Sequence, residues 1–249
     1  MRSALAKLHK LDANSVSGFA SDGLEGVFST LQDEIAKELR RLEVQSLPAM
    51  PGAFAQFSRL PQDRQVAILD ELLATWQIVS DLTMPTPNRG FSRKQEIDSL
   101  KRFLRRSGYR LANEDALDLI KDGDVFEIYN AERIQVFRSW SCFRVCSYSL
   151  VDLLVYDWNT LYDRPSWVAH ELMSCVPKIL APDAPVYVYD LPEYLITERF
   201  EGHNNAFMFK MGFAAAIVDE ATSKPVGLLT TGRATLTPHP KIGMNVSFI

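Results

Sequence analysis

Apolar residues recur at helical spacing through the first part of the chain and at strand spacing near its end. Over residues 24–42, Leu24, Val27, Phe28, Leu31, Ile35, Leu39 and Leu42 form a stripe about 120° wide at 100° per residue. A stripe that narrow suits packing on one neighbour or on a second copy of the chain. Residues 47–61 contain Pro48, Pro51, Gly52 and Pro61, which argue against a continuous helix, so a loop is expected there. A second helix is predicted over 63–82, with Val66, Leu69, Leu72, Leu73, Trp76, Val79 and Leu82 covering a wider face and Asp63 as its cap. Pro85, Pro87 and Gly90 make 84–90 a connector, and a third helix follows over 92–107, with Ile97, Leu100, Phe103 and Leu104 on one side.

Beyond residue 112 the period changes. Asn113 caps a short helix over 114–121 that Gly123 closes. Strand-like runs at 125–129 and 134–137 flank Asn130, Ala131 and Glu132, a hairpin signal. Short helical pieces follow Trp140. Asp157 caps one turn, and Pro165 suits the first turn of a helix reaching about Lys178. Strands return over 194–200, 207–218 and 225–235. In the second of these, Phe207, Phe209, Met211, Phe213, Ala215 and Ile217 alternate onto one face. The fold class is therefore α+β: a helical region over 1–112, then a five-stranded antiparallel sheet over 113–249 with helices on one face.

With 47% hydrophobic and 23% charged residues, a net charge of −4 and no apolar run near the length of a membrane span, the chain reads as a cytoplasmic globular protein. The first dozen residues read as a leader without the apolar core of a signal peptide. Three cysteines without framework spacing suggest reduced thiols. Charge is uneven, however. Between Arg89 and Arg110 there are eight basic residues against Glu96 and Asp98. Lys94, Lys101, Arg102, Arg105 and Arg106 fall opposite the apolar side of the third helix. That face reads as a solvated surface, a docking surface for an acidic partner or anionic lipid, or a nucleic-acid contact. No reading element accompanies it, so nucleic acid is the least favoured of the three.

The order of two strands, helices and three strands resembles the PAS superfamily of sensor domains, and three segments carry the likeness. EIYNAERIQVFRSW resembles the opening hairpin, CSYSLVDLLVYDWNTLYDRP the stretch that follows it, and VDEATSKPVGLLTTGRATLT the closing hairpin. The likeness spans about residues 113–237, and the helices before it resemble no known family. It implies a pocket between the sheet and the helices laid over it. Candidates to line that pocket are Phe126, Ile128, Trp140, Tyr148, Leu153, Trp158, Phe209, Met211 and Phe213.

Catalytic and cofactor chemistry are not expected. His9, His170, His203 and His239 form no metal-ligand pair, and His170 sits opposite the apolar face of its helix, as a surface residue would. Cys142 and Cys146, four apart, read as small buried hydrophobes or a dithiol pair. The stretch from Asp157 lacks the reactive cysteine of the flavin-binding branch of the family, and nucleotide-binding and hydrolase motifs are missing. The expectation is a non-catalytic, homodimeric signalling protein that binds a small ligand or a protein partner and signals through its N-terminal helices. An alternative is a small enzyme using Asp157, Asp163 or Glu198 as general acid or base. Another is a scaffold that binds acidic partners through residues 92–107.

Overall fold

A computed structural model of the protein describes residues 21–44, 48–83, 91–181, 184–200 and 202–237. The expected leader, the connector over 84–90, and His9 and His239 lie outside the described residues. Four helices come first: α1 (Ser21–Arg41), α2 (Pro51–Arg59), α3 (Gln62–Thr83) and α4 (Arg93–Arg106). Helix α2 occupies a segment expected to be a loop. Pro51 sits at its first position, where the missing N–H costs nothing, and Ala53 and Phe57 bury its inner side. Asp63 lies inside the first turn of α3. Helix α4 opens with a capping box in which Ser92 and Gln95 exchange hydrogen bonds, as the sequence spacing allows.

The remaining elements are β1 (Tyr109–Leu111), β2 (Asp124–Asn130), β3 (Gln135–Arg138), α5 (Leu150–Val155), α6 (Trp158–Leu161), β4 (Tyr162–Asp163), α7 (Ser166–Ile179), β5 (Tyr187–Val188), β6 (Tyr194–Glu198), β7 (Ala206–Asp219) and β8 (Pro225–Leu236). Two 3-10 turns, Glu114–Leu119 and Trp140–Arg144, complete the order. The expected caps are in place, with Asn113 accepting from the Asp115 N–H and Asp157 from the Asn159 N–H. The fold is α+β, with the helical region followed by a curled antiparallel sheet ordered β3-β2-β8-β7-β6-β4. Strand β7 is its spine. One of its edges pairs with β8 over most of its length, and the other is shared in turn by β6, β5 and β1.

Helices cover both faces of this sheet, not the single face expected. One face carries Phe126, Ile128 and Phe137 and packs on α4, where the Phe103 and Phe137 rings lie 5.1 Å apart. The other carries Val125, Glu127 and Tyr129 and looks toward α7 across an open volume. A β-bulge marks where β7 changes sides. Met211 pairs with Gly232 but Ala214 pairs with Thr230, so β7 spends one extra residue and its alternation flips. The Thr231 hydroxyl bridges the bulge, accepting from the Phe213 N–H at 3.0 Å and donating to the Phe213 carbonyl at 3.3 Å. Gly212 makes room for it, since a Cβ there would stand 2.8 Å from that hydroxyl.

The stripe expected to offer an interface is covered by the chain itself. Leu24, Phe28, Leu31, Ile35, Leu39 and Leu42 are all buried, with α1 packed on α3 and the Phe28 ring stacked on Phe57 at 4.1 Å. The apolar core runs unbroken from Leu24 to Leu229, and β1, from before residue 112, pairs with β7. No helix among the described residues is long and apolar enough to cross a membrane.

Candidate functional site

A cavity of about 310 Å³ lies between the α7-facing side of the sheet and α7. Its floor is built by alternate residues of three strands: Val125, Glu127 and Tyr129 of β2, Leu228 and Thr230 of β8, and Phe207, Phe209 and Met211 of β7. Leu172, Met173, Val176 and Leu180 of the α7 region form the opposite wall, and Trp158, Arg164, Tyr189 and Tyr194 close its sides. The cavity is at the small end of the roughly 300–1,000 Å³ typical of small-molecule sites, and its walls are mainly apolar.

Of the nine residues expected to line such a pocket, Trp158, Phe209 and Met211 do so. Phe126, Ile128 and Phe213 belong to the opposite face of the sheet. For β2 the reason is parity, since the more hydrophobic alternate set, Phe126 and Ile128, faces the helices, whose packing demands it. For Phe213 the reason is the bulge. Trp140 is buried beside Phe137 at 6.0 Å, and Leu153 is buried in α5. Tyr148 acts as a strut, its hydroxyl donating to the Leu161 carbonyl at 2.7 Å and accepting from the Arg199 N–H at 3.0 Å.

Sequence reasoning missed the polar residues of the cavity. Arg138 is buried, and both of its terminal nitrogens are engaged while its Nε is enclosed without a partner. It pairs with Glu127 at 3.0 Å, donates to Gln135 Oε1 at 2.7 Å and to the Tyr162 hydroxyl at 2.9 Å, and reaches Cys146 Sγ at 2.7 Å. Tyr129 donates to the second oxygen of Glu127 at 2.7 Å. The only signal for this cluster was charge at inward positions of a hairpin, Glu127 opposite Arg138. Cys142 and Cys146 both line the cavity, but burial pushes Cys146 up to about 11 and Cys142 well above the ordinary thiol value. Neither is a thiolate near neutral pH, so the dithiol reading loses its nucleophile.

Arg164 differs from Arg138. Its guanidinium carbon lies 3.8 Å from the centre of the Trp158 ring, its Nε is enclosed without a hydrogen-bond partner, and it forms no ion pair with any described residue. Burial disfavours its charge and lowers its pKa. Tyr189 and Tyr194 also line the cavity, their hydroxyls bond to no described residue, and burial raises both.

The carboxylates weighed as general acids or bases sit elsewhere. Asp157 caps α6, and Asp163 is exposed and pairs with Arg199 at 3.0 Å. Glu198 is buried. It accepts from the Ser147 N–H and hydroxyl, each at 2.6 Å, and from the Asn205 N–H at 3.1 Å. The Ser147 hydroxyl also meets His203 Nδ1 at 2.7 Å, so the serine, not the histidine, stands in the middle of this cluster. A triad needs the histidine in the middle to take the serine proton, and Glu198 is absent from the cavity walls.

His170 is exposed, and among the described residues no group of three or more potential ligands could hold a metal ion. Lys94, Lys101, Arg102, Arg105 and Arg106 are all exposed on α4, with Arg102 paired to Asp81 at 2.9 Å. No family model matches the chain, and comparison with curated proteins and with solved structures finds no significant similarity.

Proposed function

We propose that the protein is a cytoplasmic, non-catalytic sensor of the kind its PAS-like segments imply, holding a small organic ligand in the cavity beneath α7. The observation that carries this reading is the cavity itself. Its walls are mainly apolar, it is closed on several sides, and it holds polar groups without protein partners. The sheet order is compatible with the resemblance, since the β2–β3 hairpin, the helices and then β6, β7 and β8 place the first of these strands beside the last.

An output route follows from the hydrogen bonds. Cys142 lines the cavity, and its neighbour Ser141 donates its backbone N–H at 2.7 Å to Glu96, buried on the inner side of α4. The outer side of that helix carries Lys94, Lys101, Arg105 and Arg106, a surface complementary to an acidic protein partner. A ligand that moves the turn holding Cys142 would act on α4 through the Ser141–Glu96 hydrogen bond and the Phe103–Phe137 contact.

Native mass spectrometry of protein purified from cells tests the reading. A mass above that of the chain, lost on denaturation, is the expected result. Apo mass, together with no thermal shift across a panel of small apolar compounds, would overturn it.

A further inference from the structure

Resting on the ligand-binding reading above, the geometry points to the class of ligand: a small monocarboxylate with an apolar body, its carboxylate held by Arg164. The charges on the cavity wall are Glu127, Arg133, Arg138 and Arg164. Glu127 and Arg138 neutralise each other at 3.0 Å, and Arg133 is half exposed with Asp157 at 3.9 Å. That leaves Arg164, half-buried over Trp158 at 3.8 Å, with its Nε enclosed and no hydrogen bond or ion pair to a described residue. A guanidinium nitrogen enclosed without an acceptor is costly to hold, and an acceptor on a bound ligand would offset that cost.

Several features select the carboxylate. A guanidinium presents a planar fork that matches the two oxygens of a carboxylate. Tyr194, whose phenol the Arg164 charge reaches, and Tyr189 line the same cavity, and neither hydroxyl bonds to a described residue. The other walls are aliphatic and aromatic and take an apolar body. Glu127 belongs to the same cavity and opposes a second negative charge, which disfavours phosphates and dicarboxylates. The volume suits a body of about eight carbons.

Titration calorimetry of the full chain at pH 7 with octanoate and with 1-octanol separates the possibilities. Octanoate is expected to bind at least about tenfold more tightly than the alcohol. Arg164→Gln is expected to bring the two within about twofold while leaving the alcohol unchanged, and Tyr194→Phe to weaken octanoate about threefold. Equal affinities in the wild-type protein, or a preference that survives Arg164→Gln, would overturn the carboxylate assignment and leave the cavity reading standing. If neither compound binds, the carboxylate assignment falls, and the mass of the purified protein decides the cavity reading. The wild-type ratio decides the question even if a variant does not fold.

Discussion

The two faces of the sheet are made from alternate residues of the same strands and behave as different materials. On the face toward α4, Phe126, Ile128 and Phe137 are buried, the Phe137 ring packs between Phe103 and Phe126, and Phe126 is 0% exposed. Toward α7, the neighbouring Glu127, Tyr129 and Arg138 tie themselves into a polar network, and Phe209 and Met211 look into open volume. The helix-side face holds the fold together, while the cavity side keeps unused donors where a ligand would sit. A single residue step along β2 moves a side chain from one role to the other, so substitutions one position apart should give opposite kinds of phenotype.

The largest effect is expected from cutting the polar network. Arg138→Met leaves Glu127 enclosed without its partner, which should cost about 4 kcal/mol by urea denaturation. The double variant with Glu127→Gln removes both charges and should recover most of that loss. If the single and double variants are equally destabilised, the network is not organised around this ion pair. On the helix side, Phe126→Ala empties a ring-shaped space in a closed core and should cost about 3 kcal/mol, with no change in octanoate preference.

Much of the fold was legible in the sequence. The helices α1, α3 and α4, the two hairpins and the caps at Asn113 and Asp157 all follow from period and end signals. The cavity was legible only in part, for two physical reasons. Alternation identifies two sets of residues on a strand but not which set meets which layer, and here both faces are covered, so the greasier set of β2 went to the helices. Alternation also assumes a regular pleat, and the extra residue at Gly212–Phe213 reverses it within one strand. Arg164 escaped notice because nothing in its sequence neighbourhood distinguishes a surface arginine before Pro165 from one folded over Trp158. The stripe of α1 is narrow, but a narrow stripe fits a helix of the same chain as well as a second copy.

Protonation should separate the two sides again. On the helix side, burial raises Glu71 of α3 from its ordinary 4.5 to about 7, with Arg64 opposing and Asp70 adding to the rise. A carboxyl raised on folding favours the protonated form. Its stabilisation is therefore complete below about pH 4.5 and is lost as pH rises toward 7. Glu71→Gln should remove that slope, so that its advantage over the wild type grows by about 2 kcal/mol between pH 5 and pH 8. Parallel stability curves for the two proteins would mean that Glu71 is solvated and contributes nothing to the contrast.

The smallest stability effect should come from an apolar side chain of the cavity floor, and its smallness is the point. Phe209 is half-buried, borders the open volume, and lies over Gly232, where a Cβ would stand 2.5 Å from its ring. Removing the ring by Phe209→Ala forfeits few contacts on its open side, so the cost should be about 1 kcal/mol, well below that of Phe126→Ala. The same change enlarges the cavity where an apolar body would rest, so a carboxylate two or four carbons longer than octanoate should gain affinity relative to octanoate itself. A loss as large as that of Phe126→Ala would show that Phe209 supports the fold as the helix-side rings do. The two faces would then differ in polarity alone and not in function.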